Sequence, residues 1–305
     1  INMLKHVLSA EQFTRDEIEK LFKLVDDVKS NPHKYSKAIE GKIVATMFYE
    51  PSTRTRLSFE TAILRLGGQV ISTENANANS SVKKGETLKD TIRILQNYAD
   101  AIVIRHSDDN SANEAASVAK VPILNAGAGK GEHPSQALLD LYTIREKRGT
   151  IDGAKVVILG DLIYGRTIHS LLKLLSLYDN IKIYGLSKKE FMLPQKYIDL
   201  LKEKNIDYTI CNCFDEIPKD VDVLYHTRIQ QDRFEGDFGK EKFIINKEVL
   251  NKFSENTIVL HPLPRTGEIS EDIDDDPRAM YFEQAKNGLY VRMGLLLQAF
   301  ERDNI

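Results

Sequence analysis

Short apolar runs of strand length alternate with segments of helical periodicity along the whole chain. In the first half these runs cover residues 43–49, 69–72, 101–105 and 122–125, and in the second half they cover 156–159, 181–184, 208–211, 221–225 and 258–260. Strands that alternate with helices are typical of parallel sheets that carry helices on both faces. The pattern therefore predicts the α/β fold class.

Apolar stripes place three of the helices directly. The first stripe has i, i+3, i+4, i+7 spacing and ends at a pair of glycines, and it consists of Phe59, Ala62, Ile63 and Leu66. A second helix is predicted over residues 135–148, where apolar side chains share one face and Gly149 follows. The third stripe lies near the C-terminus and runs through Leu289, Met293, Leu296, Leu297 and Phe300.

The length of 305 residues exceeds the roughly 100–200 residues of a single domain, and the second half repeats the arrangement of the first. We therefore predict two doubly wound parallel-sheet domains joined by interdomain helices. The first domain is expected at residues 1–132, a bridging helix at 133–149 and the second domain at 150–288. The helix in residues 289–305 is expected to pack back on the first domain.

Charge and cysteine content exclude several classes of protein. Lys and Arg number 42 and Asp and Glu number 45, a net charge of −3, so a nucleic-acid partner is not expected. No segment has the 18 or so apolar residues that span a membrane, and residues 1–20 lack the apolar core of a signal peptide. Cys211 and Cys213 are too few for a disulfide scaffold or a four-cysteine zinc site. We expect a cytoplasmic protein with two reduced thiols.

Cationic and hydroxyl side chains follow the predicted strands at several points. In the first half they are Ser52-Thr53-Arg54-Thr55-Arg56, Arg105 and His133-Pro134-Ser135-Gln136, and in the second half they are Arg166, Arg228 and His261-Pro262-Leu263-Pro264-Arg265. Open α/β sheets bind ligands beyond the carboxyl ends of their strands. These residues are therefore the candidates for a binding site.

The segment after the first strand has the chemistry of an anion site. Ser52 and Thr53 stand where a helix should begin, so their hydroxyls lie beside backbone N–H groups that have no partner inside the helix. Arg54 adds a charge-assisted and potentially bidentate contact, which suits a phosphate group. Taken alone, the pattern fits an ordinary helix cap with two solvated arginines equally well.

Three motifs together resemble the aspartate and ornithine carbamoyltransferase family. Residues 52–56 resemble its carbamoyl phosphate signature, residues 133–136 its second motif and residues 261–265 its third. Their order and their positions at strand ends also match, and the resemblance spans nearly the whole chain. It implies transfer of a carbamoyl group from carbamoyl phosphate to an amino acid, with release of phosphate.

Three positions favour L-aspartate as the acceptor, which implies a step of de novo pyrimidine biosynthesis. Glu50 is similar to the aspartate branch, whereas ornithine enzymes usually carry Lys there. Pro262 stands where the ornithine branch has Cys, and residues 80–87 resemble the lysine loop of the aspartate branch. Ornithine or another amino acid is the alternative acceptor.

The resemblance also implies roles for individual residues. The phosphate would be held by Ser52, Thr53, Arg54 and Thr55. The carbonyl oxygen would be surrounded by Thr55, Arg105 and His133, and Gln136 would bind the carbamoyl amide. The two carboxylates of aspartate would be bound by Arg166, Arg228 and Gln230.

The family resemblance further implies a site shared between subunits. Ser80 and Lys84 would reach it from a neighbouring subunit of a homotrimer, and Lys84 would contact both substrates. Pro262 and Leu263 would offer backbone carbonyls to the amine or amide. A separate zinc-containing regulatory chain is known among relatives, and the sequence leaves its presence open.

Other functions fit the residues less well. Residues 160–166 lack the G-x-G-x-x-G spacing of a dinucleotide site, and the next strand lacks the acidic residue that holds a ribose, so no cofactor is expected. His133 and His261 have no companion ligands, so no metal is expected, and residues 272–276 read as a solvated acidic turn. A two-domain anion-binding protein without catalysis is the alternative from another class.

Overall fold

The computed structural model describes residues 6–76, 85–129, 133–228 and 243–301. Its helices are α1 (Arg15–Ser30), α2 (Thr53–Arg65), α3 (Leu88–Leu95), α4 (Ser111–Val118), α5 (Pro134–Arg148), α6 (Arg166–Leu175), α7 (Gln195–Glu203), α8 (Lys247–Leu250) and α9 (Tyr281–Phe300). Its strands are β1 (Ile43–Phe48), β2 (Gln69–Glu74), β3 (Ala101–His106), β4 (Ile123–Ala128), β5 (Lys155–Leu159), β6 (Lys182–Leu186), β7 (Asp207–Cys211), β8 (Val223–His226) and β9 (Ile258–Leu260).

The strands form two separate sheets, and every strand pair is parallel. Each predicted strand has a counterpart in the structure, and helices connect most of them. The α/β fold class with two parallel sheets is thereby confirmed. The predicted helices at Phe59, at residues 135–148 and near the C-terminus correspond to α2, α5 and α9, although α9 begins earlier, at Tyr281.

The chain divides into two compact units. The first comprises Ile1–Leu138 and Asn287–Ile305, and the second comprises Leu139–Lys286. The two boundaries therefore fall inside α5 and inside α9, not in loops. Each unit has its own apolar core, one around β1 and β3 and the other around β5, β8 and β9.

The sheet of the first unit has the strand order β2-β1-β3-β4. The chain runs from β1 outward to β2 and then crosses to β3 on the other side of β1, so the direction of strand addition reverses between β1 and β3. In open α/β sheets such a switch point opens a crevice beyond the carboxyl ends of the two strands.

The sheet of the second unit has the order β7-β6-β5-β8-β9. Strands are added outward from β5 to β7, and the chain then returns to place β8 on the opposite side of β5. A second switch point therefore lies between β5 and β8. Each unit thus has one topologically favoured position for a ligand.

Helix α1 shows how local sequence fixes an element and its packing. The Thr14 hydroxyl accepts a hydrogen bond from the Glu17 N–H (3.3 Å), and the Glu17 carboxylate accepts one from the Thr14 N–H (2.8 Å). This reciprocal cap satisfies two N–H groups that the helix cannot. The buried side chains recur every three or four residues, so they form one face of the helix, and they are Ile18, Leu21, Phe22, Val25 and Val28.

Neither cysteine is in a disulfide: Cys211 ends β7 and is buried, and Cys213 is exposed. The two cysteines were predicted in or near a strand, and Cys211 at the end of β7 and Cys213 two residues later agree with this position. No helix within the described ranges combines the length and apolar character needed to cross a bilayer.

Candidate active site

The switch point of the first unit brings two predicted site segments to one edge of the sheet. Phe48, the last residue of β1, pairs in register with Arg105 of β3. The Tyr49 N–H then donates to the Arg105 carbonyl (2.8 Å) and holds the two strand ends together. Arg105 therefore lies within β3, one residue before its end, and the segment that follows Tyr49 begins beside it.

The N-terminus of α2 has the features of an anion cradle. Ser52 is the cap residue, yet its hydroxyl makes no capping hydrogen bond, and no acidic side chain occupies the first turn. Thr53 is exposed and Thr55 is buried at the start of the helix. The first N–H groups of a helix have no partner in the helix itself, and the helix dipole adds positive potential there. This end of α2 is therefore suited to bind an anion.

The two arginines of this motif have different environments. Arg56 donates to Glu60 (3.0 Å) on the next turn and to Glu74 (2.5 Å) at the end of β2. Glu60 also accepts from Ser72 (2.5 Å), so Arg56 belongs to a network that ties α2 to the sheet. Arg54 is exposed and is absent from this network. Arg54 is the arginine that can bind an anion at this edge.

Arg105 is buried against the neighbouring strand. Its Nη1 donates to the Ala126 carbonyl of β4 (3.1 Å), at the point where the β3–β4 register shifts. Gly127 has φ +127°, and a Cβ there would lie only 2.7 Å from Arg105 Nη1. The glycine therefore leaves the space that the guanidinium occupies.

The second motif begins helix α5. His133 is buried, and its carbonyl accepts from the N–H groups of Gln136 (3.1 Å) and Ala137 (3.2 Å) in the first turn. Gln136 is half-buried. All the predicted residues of the first unit that the structure describes therefore lie at two helix N-termini or at the end of β3.

Arg292 was not predicted, and it connects the middle of α2 to the start of α5. It is buried on α9, where it donates to Ser58 of α2 (3.0 Å) and to Ser135 at the start of α5 (3.3 Å). Its guanidinium also lies over the Phe59 ring, 5.2 Å from the centroid. The signal in the sequence was one arginine inside an otherwise apolar helical stripe.

The switch point of the second unit brings Arg166 and Arg228 to neighbouring strand ends. Leu159, the last residue of β5, pairs with His226 of β8, and the Thr227 N–H donates to the Leu159 carbonyl (3.1 Å). Arg166 is the first residue of α6, and Arg228 follows β8 by two residues. Both are partly exposed. Two cations at adjacent strand ends suit a ligand with two carboxylates.

Gly160 and His226 shape the base of this region. Gly160 has φ +105°, and a Cβ there would lie 2.2 Å from the Thr227 carbonyl, so the close approach of the two strand ends requires glycine. The His226 ring lies between two backbone carbonyls, with Nε2 3.0 Å from the Phe243 oxygen and Nδ1 3.0 Å from the Thr227 oxygen. Burial lowers the pKa of His226 to about 4.

The third motif follows β9, the neighbour of β8, and contains a strained residue. Leu263 has φ +57°, a left-handed conformation that costs roughly 1–2 kcal/mol in a residue other than glycine. Its N–H donates to His261 Nδ1 (2.7 Å), and His261 Nε2 donates to Glu268 Oε1 (2.7 Å). The other oxygen of Glu268 accepts from the Thr266 N–H (2.9 Å). Pro262 and Leu263 are partly exposed.

Glu268 is ionised in this arrangement. Burial alone would raise its pKa, but the hydrogen bonds from His261 and from the Thr266 backbone outweigh burial and lower the pKa to about 2. His261 is further held through its backbone, because its N–H donates to Gln284 (2.9 Å), which in turn donates to Asp140 (2.6 Å). The loop is thus anchored to a buried polar network.

The acidic stretch after this loop differs in part from the prediction of a solvated turn. Asp274 forms a bidentate ion pair with Arg265 at 2.5 and 2.6 Å, and Asp276 pairs with Arg278 at 2.8 Å. The two pairs join residues that are nine and two positions apart in the sequence. Asp274 therefore stabilises the third motif, whereas Asp272 and Asp275 are exposed, as predicted for a solvated turn.

Three predicted site residues, Ser80, Lys84 and Gln230, lie outside the described residues. Among the residues that the structure does describe, no group of three or more His, Cys, Asp and Glu side chains is arranged to hold a metal ion. In each unit separately, the described site residues of that unit meet at the carboxyl edge of its sheet.

Both halves of the chain match models of one enzyme family. Residues 5–146 match the aspartate/ornithine carbamoyltransferase carbamoyl-P binding domain, and residues 152–299 match the aspartate/ornithine carbamoyltransferase Asp/Orn binding domain. The chain belongs to the aspartate/ornithine carbamoyltransferase family.

Three similar members of this family are named as aspartate enzymes. The aspartate carbamoyltransferase catalytic subunit of Clostridium novyi is 46% identical over 296 residues, which cover 96% of each chain. The catalytic subunit of M. jannaschii aspartate transcarbamoylase is 46% identical and has a TM-score of 0.92, over 99% of both chains. Aspartate transcarbamoylase from Trypanosoma cruzi, solved with aspartate and phosphate, is 40% identical with a TM-score of 0.88, over 96% of this chain and 94% of that one.

Proposed function

We propose that this chain transfers the carbamoyl group of carbamoyl phosphate to the amino group of L-aspartate and releases phosphate. The observation that carries the proposal is the 46% identity to the Clostridium novyi catalytic subunit over 96% of both chains. The product is N-carbamoyl-L-aspartate, and the reaction is a step of de novo pyrimidine biosynthesis. Two anion-binding strand ends, one in each unit, are consistent with one substrate that carries a phosphate and another that carries two carboxylates.

In the first unit, the carbamoyl phosphate-binding domain of the proposal, we assign the phosphate to Ser52, Thr53, Arg54 and Thr55. The exposed Arg54 and the open N-terminus of α2 support this assignment. Thr55, Arg105 and His133 are assigned to the carbonyl oxygen, and Gln136 to the carbamoyl amide. Arg105 lies in register with the end of β1, which supports its place beside the phosphate site.

In the second unit, the aspartate-binding domain of the proposal, Arg166 is assigned to the α-carboxylate and Arg228 to the side-chain carboxylate. Gln230 is assigned to assist Arg228. The backbone carbonyls of Pro262 and Leu263 are assigned to the amine or amide. The partial exposure of both arginines, at adjacent strand ends, supports their role.

The chemistry needs positioned cations and hydrogen-bond donors, because negative charge develops on the carbonyl oxygen and on the leaving phosphate. The amine must also lose a proton, and we propose the leaving phosphate as its acceptor. Holding two reactants in register contributes about 7–11 kcal/mol. A single oxyanion donor contributes about 2.7–4 kcal/mol. Positioning of the two reactants therefore lowers the activation free energy more than any single oxyanion donor does.

The acceptor is tested by measuring phosphate release from carbamoyl phosphate with aspartate, with ornithine and with neither. Rapid release of phosphate is expected only in the mixture that contains aspartate. Rapid release with ornithine instead would assign the chain to the other branch of the family. Binding of carbamoyl phosphate without release in any mixture would support an anion-binding protein.

The ranking of residues is tested by three alanine variants. Because Arg54 and Arg105 are cations that position carbamoyl phosphate and His133 is a single donor, Arg54→Ala and Arg105→Ala are expected to lower kcat far more than His133→Ala. The measurement is steady-state phosphate release at saturating aspartate. Equal losses in the three variants would contradict the ranking.

We also propose a homotrimer in which Ser80 and Lys84 enter the site of a neighbouring subunit. Large apolar side chains exposed on the first unit support a subunit contact there: Leu57 and Leu64, two turns apart on α2, are 52% and 61% exposed. Native mass spectrometry is expected to give three times the mass of the chain. The same spectrum would reveal a co-purifying regulatory chain.

The cytoplasmic location stays a prediction. Relatives from Pisum sativum and Oryza sativa are named as chloroplastic enzymes. Fluorescent tagging of the full chain in its own cells would test the location.

A further inference from the structure

The loop of the third motif is closed at both ends by one buried carboxylate. Glu268 Oε1 accepts from the His261 ring at the start of the loop (2.7 Å), and Oε2 accepts from the Thr266 N–H (2.9 Å) and hydroxyl (3.1 Å) near its end. The side chains of His261 and Glu268 are 0% and 4% exposed. Water therefore does not compete for these hydrogen bonds, and the loop has few alternative arrangements.

The hydrogen bonds also assign the tautomer of His261. The Leu263 N–H can only donate, so Nδ1 accepts and carries no proton. Nε2 then carries the proton and donates it to the Glu268 carboxylate. Glu268 therefore holds the imidazole in place, and the imidazole in turn holds the backbone N–H of Leu263, two residues further along the loop.

Leu263, whose N–H is held by His261, is also the residue of this loop with a strained backbone. Leu263 has φ +57°, which leucine rarely adopts unless surrounding contacts enforce it. The hydrogen bond from its N–H to His261 is the contact that supports this conformation. The orientation of the adjacent Pro262 and Leu263 carbonyls depends on the same peptide units.

We propose that His261 and Glu268 are positioning residues for carbamoyl transfer: Glu268 fixes His261, and His261 fixes the loop carbonyls that accept from the reacting amine or amide. This inference rests on the proposed function. Neither side chain touches substrate in the proposal. Their effect is on the geometry of the reacting groups, so it should appear in kcat more than in the KM for aspartate, whose carboxylates bind Arg166 and Arg228.

Two substitutions at one position separate the two contacts of the imidazole. In His261→Asn, Oδ1 stands close to where Nδ1 was and can accept from the Leu263 N–H as in an Asx turn, while the contact to Glu268 is lost. In His261→Gln, the longer amide can still donate to Glu268, while the Leu263 contact is lost. Both variants remove the ring, so each is the control for the other.

The expected result is that His261→Gln loses kcat on the order of a hundredfold, the scale of a displacement of about 1 Å at a reacting group. His261→Asn is expected to keep most of kcat, and both variants to keep the KM for aspartate. If the pair is merely structural, the two variants lose thermal stability but retain equal kcat, and the proposal is overturned.

The role of Glu268 is tested by combining Glu268→Gln with His261→Asn. If Glu268 acts through His261, Glu268→Gln lowers kcat in the parent protein and adds little in the His261→Asn background. Additive losses would show that Glu268 acts by another route and would overturn that part of the proposal.

An NMR measurement tests the hydrogen bonds of His261 independently of activity. In the parent protein labelled with ¹⁵N-histidine, His261 is expected to show a proton on Nε2 and none on Nδ1. A proton on Nδ1 would overturn the inference even in a fully active enzyme. Absence of carbamoyl transfer in the parent would instead refute the proposed function, and the NMR result would still decide the arrangement of the loop.

Discussion

Replacing Gly127 with alanine should displace the guanidinium of Arg105. The added Cβ would lie 2.7 Å from Nη1, whereas unstrained contacts between such atoms are about 3.5 Å or longer. Arg105 must therefore move by about 1 Å, and its hydrogen bond to the Ala126 carbonyl is stretched or lost. A displacement of about 1 Å at a positioned group costs on the order of a hundredfold in rate.

The backbone of Gly127 adds a second cost. Its φ of +127° is a conformation that alanine rarely adopts, at an expense of order 1–3 kcal/mol of folding stability. Gly41→Ala is a matched control in the same compact unit, because Gly41 has φ +78° and no atom within 4 Å of the added Cβ. Both variants should be destabilised, and only Gly127→Ala should also move an arginine.

The assay combines two measurements on the two variants. Urea unfolding monitored by circular dichroism reports the loss of stability, and phosphate release at saturating aspartate reports kcat. We expect similar unfolding midpoints and a much lower kcat for Gly127→Ala. A kcat in Gly127→Ala equal to that in Gly41→Ala would refute either the displacement of Arg105 or its place in the active site.

Two further predictions concern stability. Burial lowers the pKa of His169 and of His226 from 6.5 to about 4. Between these pH values the unfolded chain binds protons at both histidines and the folded protein does not. The free energy of unfolding should therefore be unchanged above pH 6.5 and fall by up to about 3 kcal/mol for each histidine as the pH drops toward 4. Urea midpoints that do not change over this range would contradict that assignment. Thr14→Ala removes the reciprocal cap with Glu17 and should cost about 1 kcal/mol, whereas Thr14→Ser should restore it, as measured by thermal unfolding.

The strands were predictable because most of them are continuous apolar runs. Strands β1, β3, β4, β5 and β8 are buried almost throughout, and a fully buried parallel strand leaves a run of this kind in the sequence. Helix α1 was not placed, although its apolar stripe and the Thr14–Glu17 cap were both visible.

The kind of ligand that the motifs bind was predictable from their residue types, but the different roles of residues within one motif were not. Arg54 and Arg56 are equivalent in composition and differ in their neighbours. The i, i+4 spacing from Arg56 to Glu60 is readable in the sequence, whereas the contact with Glu74 depends on how β2 lies beside α2. Arg292 and Glu268 were missed because their partners become neighbours only after the strands and helices have packed.

The division of the chain also orders events during synthesis. The second unit is continuous, so all of its residues are synthesised before Asn287–Ile305, the last part of the first unit. Domains generally fold as units as they emerge. The arginine that joins Ser58 to Ser135 arrives with that last segment. A chain that lacks this last segment would therefore contain the whole second unit, but its first unit would lack the side chain that joins the middle of α2 to the start of α5.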